Sequence, residues 1–356
     1  MIDKWCFSFL TIICSVCNLG AEVGESNTFL AGIEVGSKGV KVCVINPSIQ
    51  SNTNSTKIVY DSTINTDFIK FSIETTSATV NAVVALYNIA AERYHIADKN
   101  IYLAISSGVS QTADREQKQS QVMGLADYIR TTLKNPNKGV ELINVYQEAV
   151  YTHTSVIPLD ETMTSIIIDV GSGNTKGGYF ITKGLFNTFN VPWGTKSLSN
   201  KVEEKCDTPC SVSMYNSTLK KKVDETVELD ISQAVDHCGI RNYNFNILLS
   251  GGIAWATASL IDPKNNNKSI ELTYSDVNKF HIMLSKNYEK LSSDDYKDAL
   301  QKIGKVYTQK NLISGTRLLL KIMEKFERES IIKTYTFIKN NKAGWLPAYI
   351  IDKSSK

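Results

Sequence analysis

The sequence predicts an α/β protein made of two related domains that face each other across a cleft. Two observations carry that prediction. A hairpin of one design occurs twice, and between and after its copies strands alternate with helical periods. The first copy is Phe29–Ile45, where Glu34-Val-Gly-Ser37 follows an apolar strand and a second strand re-extends after the turn. The second is Thr164–Tyr179, where Asp169-Val-Gly-Ser172 follows Ile166–Ile168 and the chain re-extends from Lys176. The two acids stand about 135 residues apart, as in a repeated domain. A length of 356 residues and 42% apolar content can supply two cores.

Glycine-rich bends let backbone N–H groups face an anion, so phosphate is expected between the turns. The candidate ligands are Gly36, Ser37 and Lys38 in the first turn, and Gly171, Ser172, Gly173, Asn174, Thr175 and Lys176 in the second. Asp169 and Glu34, at the bends, are candidates to hold a phosphate-bound metal. A net charge of +3, with no basic run interleaved with aromatics, argues against nucleic acid as a partner.

From the start of the chain, Trp5–Cys17 is an unbroken run of apolar or small residues. It is too short to span a bilayer comfortably and has the length of a signal-peptide core. Small residues at Ser15-Val16-Cys17 and at Gly20-Ala21 offer cleavage points. Export to the periplasm or beyond, with loss of residues 1–21 and no membrane span left in the mature chain, is the expectation. The alternative is a cytoplasmic protein whose N-terminus packs on the first domain.

That domain is expected over residues 28–157. Asn46–Thr56 reads as a polar loop and Ile58–Ile64 as a strand. Thr76–Tyr94 has a helical period of apolar residues, including Val80, Val83 and Leu86. Ile101–Ile105 is a buried strand ending in Ser106-Ser-Gly108. A helix follows over Arg115–Leu133, stopped by Asn135-Pro136-Asn137, and then a short strand over Val140–Val145. The segment to Ser155 opens a helix directly after that strand, with Glu148 in its first turn and His153, read as structural, further on.

The second domain is expected over residues 163–352. Leu185–Val191 is a strand that enters Pro192-Trp193-Gly194-Thr195. Lys201–Asp230 is heavily charged, and Leu219-Lys-Lys-Lys222 within it reads as a solvated helix face and not an anion site. Cys206 and Cys210 either close a small disulfide loop or remain thiols, and without a second ligand pair they do not make a zinc site. Phe245–Leu249 is a strand closed by Ser250, Gly251 and Gly252 before a helix over Ile253–Leu260. Such a step lets phosphate approach a helix N-terminus. Further helices are expected over Tyr274–Leu291, Tyr296–Ile303 and Ile313–Phe326, with a late strand over Ile331–Phe337.

In order and spacing these segments resemble the superfamily of sugar kinases, actin and heat-shock ATPases, and within it the Ppx/GppA branch. The resemblance implies two ribonuclease-H-like, actin-like domains around a central phosphate-binding cleft. It implies a bacterial hydrolase that cleaves terminal phosphoanhydride bonds of polyphosphate or guanosine pentaphosphate with Mg2+, and it leaves open a homodimer. Glu148-Ala149 resembles the second half of the family's Glu-Glu-Ala-Arg run, whose second Glu activates the attacking water; Gln147 replaces the first. The departures are Glu34 for an Asp, Lys38 for an Asn, Lys176 for a Glu, and no Arg in Ser106–Gln111. Lys38 and Lys176 would bring two ammonium groups toward the cleft. The second reading is therefore a protein of the same fold that binds polyphosphate or nucleotide without turning it over.

Overall fold

The computed structural model describes residues 29–50, 56–240, 244–263, 269–329, 334–338 and 344–356; the expected leader lies outside them. Two sheets of one plan organise the chain. The first is built from β1 (Leu30–Val35), β2 (Gly39–Gln50), β3 (Thr56–Asn65), β4 (Ile101–Ile105) and β5 (Val140–Leu142), in the order β3-β2-β1-β4-β5. The hairpin strands pair antiparallel, and β4 and β5 add on parallel. Their crossovers carry α1 (Ile73–Asn88), α2 (Ser107–Glu116) and α3 (Gln119–Thr132). α4 (Val145–Val156) then leads out to the second domain.

The second sheet repeats this plan with β6 (Ser165–Val170), β7 (Thr175–Thr182), β8 (Leu185–Val191) and β9 (Asn246–Ser250), and adds β10 (Ser269–Leu272) and β11 (Tyr335–Ile338). Its order is β10-β11-β9-β6-β7-β8, so β8-β7-β6-β9-β11 mirrors the order of the first sheet. Its helices are α5 (Thr195–Glu203), α6 (Val212–Lys222), α7 (Glu228–Cys238), α8 (Gly252–Ile261), α9 (Tyr274–Lys286), α10 (Lys297–Gly304) and α11 (Gln309–Glu329). The predicted two-domain α/β class is the class observed.

Local chemistry explains the elements. β1 and β6 are buried along their whole length, as parallel-paired central strands covered on both faces must be. α1 starts at Ser72, whose hydroxyl accepts from the Thr75 N–H, and buries Val80, Val83 and Leu86 on one face. α4 starts in a reciprocal cap: Asn144 accepts from the Gln147 N–H, and the Gln147 side chain accepts from the Asn144 N–H.

Four expectations are corrected. The polar stretch Asn46–Thr56 is not all loop, because β2 continues to Gln50 and β3 starts at Thr56. The helix expected over Arg115–Leu133 is two helices, broken where Gln117 takes a left-handed conformation. The stretch Ser106–Gln111, read only as the end of a strand, holds the start of α2. Finally, the second domain does not keep the last residues. The last helix, α12 (Leu346–Ser354), returns to the first sheet, where Trp345, Leu346, Tyr349 and Ile350 pack with Leu30, Cys43 and Ala104. Gly32 permits this: a Cβ there would lie 2.7 Å from Ile350 Cγ1.

Cys206 and Cys210 form a disulfide, the first of the two states the sequence left open. Among the described residues no helix is long and apolar enough to cross a membrane.

Candidate active site

The two glycine turns meet at the C-terminal ends of β1 and β6, where ligands of α/β sheets bind. In the first, the Gly36 N–H donates to the Gly39 carbonyl. In the second, the Gly171 N–H donates to the Asn174 carbonyl, while the carbonyls of Gly171 and Ser172 accept from the first N–H groups of α5. With those carbonyls committed, the polar groups that turn can still offer are N–H donors. The turns also press on each other: a Cβ on Gly173 would collide with the Ser37 hydroxyl and the Gly108 carbonyl.

Between them lies a cavity of about 360 Å³. It brings together Glu34, Gly36, Ser37, Lys38, Glu148, Asp169, Gly171, Ser172, Gly173, Asn174, Lys176, Ser250, Gly251 and Gly252. All but one of the residues expected to touch phosphate or metal therefore share one wall. The exception is Thr175, which is fully buried and donates through Oγ1 to the Trp193 carbonyl instead. Gly251, at φ 94°, turns the chain from β9 into α8 in a conformation that favours glycine. The Ser37 hydroxyl is buried and has no hydrogen-bond partner among the described residues, which leaves a donor for a ligand.

Glu148 is 3% exposed, and both of its oxygens are held. Oε2 accepts from the Ser107 N–H at 2.7 Å, at the positive end of α2, and Oε1 lies 2.8 Å from Lys176 Nζ. Lys176 Nζ is also 2.7 Å from Asp169 Oδ2 and 3.5 Å from Asn174 Oδ1. Burial alone would strip this ammonium of water and lower its pKa, but Asp169 and Glu148 outweigh that and hold it well above the lysine range. Asn174 ties the arrangement across the cleft by donating to Ser107 Oγ and Gln111 Oε1.

Glu34 pairs with Lys41 at 3.5 Å. Burial pushes the Glu34 carboxyl above its usual range, more than Lys41 pulls it down. Lys38 is drawn aside: its Nζ donates to Asp67 Oδ1 at 3.0 Å, and Lys196 of the second domain reaches the same carboxylate at 3.4 Å. Tyr307 closes the cavity floor beneath Gly252, and burial raises its phenol to about 12. Arg115 crosses the seam, donating to the Pro192 carbonyl and stacking 4.8 Å over Trp193. No arginine lines the cavity among the described residues.

The donor set does not fit a divalent metal. Asp169 and Glu34 each face an ammonium, and Lys176 sits where a cation shared by Asp169 and Glu148 would go. Four carboxylates, Glu34, Asp61, Glu148 and Asp169, and three lysines, Lys38, Lys41 and Lys176, line the cavity, leaving little net charge to attract Mg2+. Among the described residues no three His, Cys, Asp or Glu side chains are grouped to hold a metal ion.

Sequence reasoning missed three partners. Ser107 acts through its backbone N–H, which no residue pattern shows. Gln111 lay in a stretch noted only for its missing Arg. Lys41 was legible, since it stands seven residues after Glu34, as Lys176 does after Asp169. His153 is structural, as expected: Nε2 lies 3.2 Å from the Ser165 carbonyl, and the ring packs between Phe180 and Phe186.

Fold and site together define a two-domain α/β protein whose paired sheets bring two glycine turns to one cavity. Comparison with solved structures narrows that class. A Ppx/GppA family member from Aquifex aeolicus superposes with a TM-score of 0.61 at 15% identity, over 92% of this chain and 97% of its own. An exopolyphosphatase-like protein gives 0.65 at 12% identity, over 92% and 99%. An exopolyphosphatase from Cytophaga hutchinsonii gives 0.61 at 13%, over 87% and 93%. The chain has the fold of the Ppx/GppA structures. No family model and no curated protein matches its sequence.

Proposed function

We propose that this chain is a divergent Ppx/GppA-type phosphatase, which removes terminal phosphate from polyphosphate or guanosine pentaphosphate. The observation that carries the reading is Glu148. It is a buried carboxylate in the wall of a cavity bounded by two glycine turns, and it is fixed at one oxygen by the Ser107 N–H. Cleaving a phosphoanhydride by water needs a carboxylate to orient the attack and N–H or cationic groups around the phosphoryl oxygens. In this reading Gly36, Ser37, Gly171, Ser172, Gly173 and Asn174 surround the phosphates, and Glu148 orients the water.

The second reading, binding without turnover, is favoured by one specific contact. Oε1 of Glu148 is engaged by Lys176 in a buried ion pair and Oε2 by the Ser107 N–H, so both oxygens are already occupied where a water would have to be oriented. Phosphate release from polyphosphate and from guanosine pentaphosphate, with and without Mg2+, separates the two readings. If Glu148 is the base, Glu148→Gln loses about 10²–10⁴-fold in turnover while ligand affinity is kept. Equal rates in both proteins remove Glu148 from the mechanism. Ligand binding with no phosphate release in either protein selects the binding reading.

The reading extends to location. A leader at residues 1–21 would place the mature chain outside the cytoplasm, which suits polyphosphate better than a cytoplasmic nucleotide. The mass of the mature N-terminus tests this.

A further inference from the structure

We infer that Lys176 is a built-in counter-ion that takes the place of a divalent metal, so that phosphate ligands bind in this cleft without magnesium. The ligand class rests on the functional reading above; the role of Lys176 rests on geometry alone.

Strand register sets the position. Lys176 lies directly opposite Asp169 in the β6–β7 ladder, so its side chain leaves the sheet beside that carboxylate. It is 2% exposed. An ammonium has three N–H donors, and three acceptors surround this one: Asp169 at 2.7 Å, Glu148 at 2.8 Å and Asn174 at 3.5 Å. No donor is left for a ligand. Lys176 is therefore a positioning residue: it acts on a bound anion through its field and by fixing Glu148 and Asp169 in place. It also neutralises charge that would otherwise repel a phosphate chain.

Two consequences follow. With the ammonium present, a divalent ion finds both carboxylates already paired. With it removed, two buried carboxylates on either side of one site need a cation, and a hard divalent ion is the ready substitute.

The test is Mn2+ titration of the full-length protein, followed by paramagnetic resonance and calorimetry, with no phosphate present. The wild type and Lys176→Arg should show no saturable site, whereas Lys176→Gln should bind Mn2+ at least about ten-fold more tightly than the wild type. Equal Mn2+ affinity in the wild type and Lys176→Gln overturns the inference. If Lys176→Gln does not fold, the wild type decides by itself: saturable Mn2+ binding below about 100 µM overturns the inference, and its absence supports it. In parallel, tripolyphosphate affinity of the wild type should agree within about two-fold between EDTA and Mg2+ at matched ionic strength, and a loss of about ten-fold in EDTA overturns the inference. If tripolyphosphate binds in neither buffer, the phosphate reading fails, while the Mn2+ comparison still decides what Lys176 does.

Discussion

Lys41 stands to Glu34 as Lys176 stands to Asp169. Each lysine is the cross-strand partner of the acid in its hairpin, and each lies seven residues further along the chain. The ion pairs measure 3.5 Å and 2.7 Å. The two hairpins are thus copies down to a charge pair, with Lys41, and not Lys38, as the counterpart of Lys176.

The first prediction concerns that pair. Lys41→Met should destabilise the protein more than Glu34→Gln does, because it strands a buried carboxylate while the reverse change frees a half-exposed lysine. The double variant should recover part of the loss, with a coupling of about 1–2 kcal/mol. Urea unfolding of the four proteins measures it, and a coupling of zero would show that the pair contributes nothing.

The second concerns Asp67. This one carboxylate lies near Lys38, Lys70 and Lys196, and their ammonium groups together hold it below the usual aspartate range despite its partial burial. Asp67→Asn should release Lys38 toward the cavity it lines and tighten tripolyphosphate binding by about two- to five-fold at low salt. The gain should vanish in 0.5 M salt, roughly where the screening length falls to a few ångströms. Calorimetry at the two salt concentrations checks both parts.

The third concerns pH. Burial pushes His153 down to about 4, and the Ser165 carbonyl, an acceptor only, fixes the hydrogen on Nε2 of the neutral ring. His281 is lowered to about 4 by burial and by Arg317. Between those values and the unfolded value near 6.5, the unfolded chain binds more protons than the native one. Stability is therefore complete above about pH 6.5 and is lost as pH falls toward 4, at up to about 1.4 kcal/mol per unit for each histidine. Thermal melts from pH 7 to 4 should show that slope, and His153→Phe should roughly halve it, leaving the share of His281.

The hairpins, β4 and β8 were legible in the sequence because their strands are short, largely apolar runs with polar, glycine or proline residues at their ends: Asn100 and Ser106 flank β4, and Gly184 and Pro192 flank β8. The expected spans Ile101–Ile105 and Leu185–Val191 coincide with those strands. α2 was not legible, since its buried face consists of Ser107, Gly108, Val109, Thr112 and Ala113 and lacks an apolar period. Small residues are needed there because the second glycine turn packs directly on Gly108. The two glycine turns of the cavity wall could be named from the repeated motif, whereas Glu148 came only from the family resemblance and Lys41 and Tyr307 were not named at all. What each group does there could not be named, because the Lys176–Glu148 bond joins residues 28 positions apart on different elements.

The return of α12 has a consequence for how the molecule is made. The first sheet buries Leu346 and Ile350, which are synthesised only after the whole second domain. Domains usually fold in the order in which they leave the ribosome. Here the earlier half stays unfinished, with Leu30 and Ile45 uncovered, until the final residues arrive.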